Sequence, residues 1–127
     1  MNTITQSTSI AAGSKGTIAA PYSGIGMRLS ATAGDGAAAQ WSAQALFEFG
    51  YSEYNGIAGS AYDLSVMGGD VGLAVYPENT ECPSKKCTPS DCAPDQGWTN
   101  ADQVEDGSPA DTVCYHGKTN FNVVWCA

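Results

Sequence analysis

Three observations make this chain a mainly β protein, an antiparallel β-sandwich of short strands. Apolar and polar residues alternate with the period of two that a half-buried strand requires. Turn-forming residues recur between these runs, with 15 glycines and 6 prolines. All five cysteines lie after residue 80, as suits a small β domain stapled by disulfides. At 127 residues the chain reads as a single domain, 1–127, with a modest core.

The elements follow in order. Residues 2–10 are β-branched and polar and read as an edge-type strand. Gly13 to Gly16 is a turn, Thr17 to Ala20 a short strand ending at Pro21, and Met27 to Thr32 a third strand. Gly34-Asp-Gly36 breaks the alanine-rich stretch around it and argues against a helix there. Between Trp41 and Ser52 the alternation is clear. Ala45, Phe47, Phe49 and Tyr51 share one face, while Leu46, Glu48, Gly50 and Ser52 share the other. Residues 54–59 turn the chain around Asn55-Gly56, a strong hairpin signal. Tyr62, Leu64 and Val66 then face one side, with Asp63 and Ser65 on the other. Val71 to Tyr76 forms the next strand, stopped by Pro77.

Residues 77–112 hold five of the six prolines and no sustained period. This is loop that disulfides must pin, with short helical turns near Thr99 to Asp106. The last strand, Asn120 to Cys126, puts Phe121, Val123 and Trp125 on one face. It is expected to pair with strands from early in the chain.

The formal charge is −8. Nucleic acid is excluded as a partner, because phosphate binding needs clustered Lys and Arg. No apolar run approaches the ~18 residues of a spanning helix, so a transmembrane helix is excluded and no membrane insertion is expected. Met1-Asn-Thr-Ile-Thr lacks the charged and apolar regions of a signal peptide. If the protein is secreted, the expectation is a mature form with an added methionine. The Cys82-x4-Cys87-x4-Cys92 spacing lacks the C-x2-C pairs of common zinc sites, and His116 is the single histidine. Asp70, Asp91, Asp95 and Asp102 have no EF-hand spacing. Neither a metal nor another cofactor is expected. An odd cysteine count leaves one thiol free or bonded between chains.

Three stretches carry a family resemblance. The run Ala45-Leu-Phe-Glu-Phe, then Tyr62-Asp-Leu-Ser, then Val71-Gly-Leu-Ala-Val looks like three successive strand motifs of the thaumatin-like proteins. Cys82-x4-Cys87 followed by Asp91 resembles that family's Cys-x4-Cys…Asp element. Cys114 through Asn120-Phe-Asn-Val-Val-Trp-Cys126 resembles its closing strand. The likeness covers roughly residues 45–126 and is weak before that. The chain departs from the pattern in having five cysteines, where family members carry many more, and in lacking the cysteine-rich lobe.

The resemblance implies a Cys82–Cys114 disulfide, a bond between Cys87 and Cys92, and Cys126 as the odd thiol. It also implies an acidic cleft linked to β-glucan binding and sometimes to weak endo-β-1,3-glucanase activity. Glu48 and Asp63 match cleft positions, and Asp91 matches within one residue. The cleft arginine falls on Ala31 with Arg28 nearby, and the remaining aspartate on Gly68 with Asp70 two residues on.

Glu48 and Asp63 are the sharpest candidates from the residues themselves, each mid-strand with apolar neighbours pointing away. Two carboxylates ~5–9 Å apart suit glycoside hydrolysis; carboxylates also accept bonds from sugar hydroxyls. Tyr54, Tyr76, Trp98 and Tyr115 lie in or beside loops and can stack on sugar rings, while Trp41 and Trp125 read as core and His116 as surface. The expected function is secreted, lectin-like glycan binding in defence or cell recognition through Glu48, Asp63, Asp70, Asp91, Arg28 and Tyr76. The alternatives are a weak β-1,3-glucanase using Glu48 and Asp63, or a secreted effector that binds a host protein. Loss of the cysteine-rich lobe would uncover a sheet edge, and an exposed edge invites pairing with a second copy. A homodimer is therefore expected.

Overall fold

The computed structural model describes residues 8–19, 27–30, 45–67 and 71–126. Two antiparallel sheets pack face to face. The larger joins β1 (Met27–Ser30), β2 (Leu46–Tyr54), β3 (Ile57–Ser65) and β6 (Thr112–Cys114) in the order β1-β2-β3-β6. The smaller joins β5 (Lys85–Cys87), β4 (Leu73–Pro77) and β7 (Phe121–Trp125) in the order β5-β4-β7. A 3-10 helix, Ala101–Asp106, lies between β5 and β6. The molecule is thus mainly β, as alternation and turn chemistry predict. Two packed antiparallel sheets identify no family by themselves.

The β2–β3 hairpin is the frame. Its nine cross-strand pairs run from Leu46↔Ser65 to Tyr54↔Ile57. Asn55 and Gly56 make the turn with φ of 53° and 77°, the left-handed pair that matches the twist of the flanking strands. Because this turn needs only two residues, 57–59 are strand rather than the longer turn expected over 54–59.

Phe47, Tyr62 and Leu64 of the larger sheet meet Leu73, Val75 and Cys87 of the smaller one in a single core. The Phe121 ring from β7 sits edge-on to Phe47 at 5.0 Å and tilted against Tyr62 at 5.1 Å. Trp125 packs partly buried against the same core.

Several expectations are corrected. Residues 8–10 and 17–19 form no strand. All of 8–19 is exposed, so no apolar burial offsets the entropy of ordering a strand there. Residues 2–7, Ala20 and Trp41 lie outside the described residues. The last strand pairs with β4, from Leu73↔Trp125 to Pro77↔Phe121, not with early strands. Pro77 is the last residue of β4 rather than its stop. β5 and β6 have three residues each, too short for alternation to reveal.

The disulfides are Cys82–Cys114 and Cys87–Cys92, and Cys126 is an exposed free thiol. Among the described residues no helix is long and apolar enough to cross a membrane.

Candidate functional site

The outward face of the larger sheet carries a row of charged side chains set by register. Arg28 of β1 stands opposite Glu48 of β2, and Glu48 stands opposite Asp63 of β3. The β3–β6 ladder ends at Tyr62↔Thr112. One step further along the same antiparallel register, Asp111 is level with Asp63. The row Arg28–Glu48–Asp63–Asp111 therefore crosses all four strand positions. Direct cross-strand neighbours have Cβ atoms ~4.5–5.5 Å apart, which sets three carboxyl groups side by side.

Two adjoining grooves, of about 610 and about 480 Å³, share Glu48, Asp63 and Asp111. The first runs along the sheet over Gly50 and Ala61, with Arg28 on one flank and Val113 on the other. Gly50 has no side chain and Ala61 only a methyl, so the groove floor is low. The second is walled by Met67, Trp98, Ala101 and Val104.

Trp98 ties the long loop to this face. Its N–H donates to the Leu64 carbonyl at 2.8 Å, and its carbonyl accepts from the Val66 N–H at 2.9 Å. The indole Nε1 donates to Asp111 Oδ1 at 2.7 Å, so one residue both closes the groove and aims a carboxylate of the row. Trp98 is itself placed by Gln103. The Gln103 side chain accepts from the N–H groups of Thr99 and Asn100 at 2.7 and 3.2 Å and donates to the Gly97 carbonyl at 3.0 Å.

Asp63 is the electrostatic centre. Burial pushes its carboxyl up to about 8, helped by the neighbouring charges of Glu48 and Asp111. Asp63 Oδ1 is wholly buried and meets no donor, which agrees with an acid that keeps its proton. At neutral pH the row thus offers acceptors at Glu48 and Asp111, a proton held at Asp63 and a guanidinium at Arg28.

Of the expected site residues, Arg28, Glu48 and Asp63 come together. Asp70 lies outside the described residues. Asp91 does not join them: it closes a tight exposed turn, exchanging backbone bonds with Thr88 at 3.2 Å. Tyr76 does not either, since it is exposed on the smaller sheet opposite Asn122. Alternation located each residue on a face of its own strand but not the sheet that strand would enter. Asp111 takes the place expected of Asp91, and the signal for it lay in the register of β6. His116 pairs on the surface with Glu81 at 2.8 Å. Asp91, Asp95 and Asp102 do not converge, and among the described residues no group of three His, Cys, Asp or Glu side chains could hold a metal ion.

Compared with known protein families, with curated proteins and with solved structures, the chain matches none.

Proposed function

We propose that the protein is a secreted, lectin-like protein that binds saccharides in the groove over Glu48, Asp63 and Asp111. The observation that carries this reading is the Arg28–Glu48–Asp63–Asp111 row in a groove closed by Trp98. Sugar hydroxyls are both donors and acceptors, and the row supplies both. A sugar ring also presents C–H groups, for which Trp98 and Val104 provide an apolar wall. The thaumatin-like resemblance of residues 45–126 supports the same reading, as do two disulfides in a small β domain.

Binding asks less of the row than hydrolysis does, since it needs only donors and acceptors. A raised carboxyl pKa is what an acid catalyst needs, and Asp63 meets that requirement. Hydrolysis also needs the two carboxyl groups at a set separation. A retaining glycosidase separates them by about 5–5.5 Å, and an inverting one by about 6.5–9.5 Å to admit water.

A glycan array followed by calorimetry tests the proposal. Selective binding is expected, weakened roughly tenfold or more in Glu48→Gln by loss of a charge-assisted hydrogen bond. An array with no signal would reject it. Laminarin hydrolysis lost in Glu48→Gln would replace binding with glucanase activity.

A further inference from the structure

The two disulfides differ in what can reach them. Cys82 and Cys114 are both buried, 4% and 5% exposed. Cys87 is fully buried in β5, level with Leu73, but its partner Cys92 is partly exposed in the loop that follows. Thiol–disulfide exchange needs a thiolate to reach one sulfur of the bond, and Cys92 gives the more open approach.

The same bond lies against the chain that leads into the groove wall. Gly97 is buried on it: a Cβ there would sit 2.7 Å from Cys87 Sγ and 3.2 Å from Cys92 Sγ. The next residue is Trp98, whose backbone bonds Leu64 and Val66 and whose indole bonds Asp111. Once the bond opens, the two sulfurs must separate to non-bonded contact. Cys87 is fixed by β5 and Gly97 leaves no slack, so the movement falls on Cys92 and on residues 92–97.

We infer that Cys87–Cys92 is a reversible redox switch that sets the hold on Trp98, while Cys82–Cys114 is a permanent staple. The switch goes beyond the glycan reading and does not depend on what the groove holds. The fold tolerates both states. The bond has a sequence separation of 5, so opening it frees little chain entropy. A buried cysteine packs as a small apolar side chain, so reduced Cys87 keeps its place in the core. Between the two cysteines Thr88 and Asp91 exchange backbone bonds at 3.2 Å, which keeps the thiols near each other for reclosure.

The reductant is a small dithiol. One of its thiolates bonds to Cys92 Sγ, and the pair from the broken disulfide leaves on Cys87 Sγ, which takes a proton. The second thiol gives up its proton and bonds to the first sulfur of the dithiol. The pair from that mixed disulfide leaves on Cys92 Sγ, which is protonated in turn. The protein gains two electrons and two protons, and the dithiol becomes a disulfide.

Dithiothreitol is the probe, with the exposed Cys126 thiol alkylated beforehand to prevent exchange. Mass spectrometry after a second alkylation should find Cys87 and Cys92 labelled at least roughly tenfold faster than Cys82 and Cys114. In that partly reduced protein, hydrogen exchange at the Trp98 and Val66 amides should speed up by roughly tenfold or more, while the β2–β3 amides stay protected. Glutathione disulfide should restore the slow exchange. A paired Cys87→Ser and Cys92→Ser variant should show the fast exchange with no dithiol present. Equal labelling of the two bonds would overturn the inference, as would unchanged exchange at Trp98 and Val66. Loss of β2–β3 protection as the bond opens would overturn it too, because the bond would then hold up the whole fold.

Discussion

The β2–β3 hairpin and the stretch from Glu78 to Asp111 solve the same problem by opposite means. In the hairpin each residue's place follows from its neighbours, with Phe47 and Leu64 inward and Glu48 and Asp63 outward around one two-residue turn. The 78–111 stretch has no such period and is held by separate links. The Cys82–Cys114 and Cys87–Cys92 bonds anchor its ends and its first loop. Lys85, though buried, donates from Nζ to the Asp95 carbonyl at 2.7 Å. Asn100 and Gln103 cap the 3-10 helix reciprocally. The groove takes Glu48 and Asp63 from the first region and Trp98 and Asp111 from the second. Local pattern therefore lays its floor, and long-range stitching builds its wall.

The contrast can be broken first at the hairpin. Phe47, 2% exposed and stacked on Phe49 at 4.9 Å, anchors both sheets. Phe47→Ala is expected to lower unfolding free energy in urea by about 3–5 kcal/mol. A loss below about 1 kcal/mol would mean that the two sheets do not share one core.

The disulfides should rank by the loops they close. Their sequence separations are 32 for Cys82–Cys114 and 5 for Cys87–Cys92. Chain entropy gives about 4 and about 2 kcal/mol respectively. Paired Cys→Ser variants compared by urea midpoint should keep that order. An inverted order would show that the small loop stabilises through the packing of Gly97 on Cys87, where an added Cβ would lie 2.7 Å from Sγ.

Gln103→Ala should cost about 1–3 kcal/mol, since the buried Gln103 amide serves the backbone of Gly97, Thr99 and Asn100 at once. Limited proteolysis should then cut within 94–107 before the hairpin. Simultaneous cleavage of both regions would deny the stretch any independence.

A further test is the pH dependence at Asp63. Its folded value, about 8, lies above an unfolded value of about 3.9, so the folded state binds more protons between the two. Its contribution to stability is fully present below about pH 4 and falls as pH rises towards about 8. Asp63→Asn copies the protonated form. It should barely change the melting temperature at about pH 4 and raise it at about pH 9, relative to the native chain. The same difference at both pH values would place Asp63 in an ordinary ionised state.

The two regions were also unequally legible in the sequence. The alternation of Phe47, Phe49, Tyr62 and Leu64, and the Asn55-Gly56 corner, located the hairpin because the signals are local. That also put Glu48 and Asp63 on one face. Asp111 was hidden because its position depends on β6, a three-residue strand whose register comes from pairing across the chain. Tyr76 and Asp91 were misplaced for the converse reason: being aromatic or acidic near a turn says nothing about which face of which sheet a residue joins. The disulfide pairs were expected only by analogy, since spacing alone leaves connectivity open.

One two-residue corner governs more than a reversal of chain direction. Residues face opposite sides of a sheet in strict alternation, so inserting a single residue beside Asn55-Gly56 while keeping a two-residue turn would shift the register by one and turn one strand's whole complement through the sheet. Phe47 or Leu64 would surface, and Glu48 or Asp63 would enter the core. Fold and groove cannot drift apart by small steps there, because one setting fixes both. Variation of the groove rim has freer ground at Val104, Met67 and Val113, which are exposed and can change size or polarity without disturbing the alignment that brings the acids together.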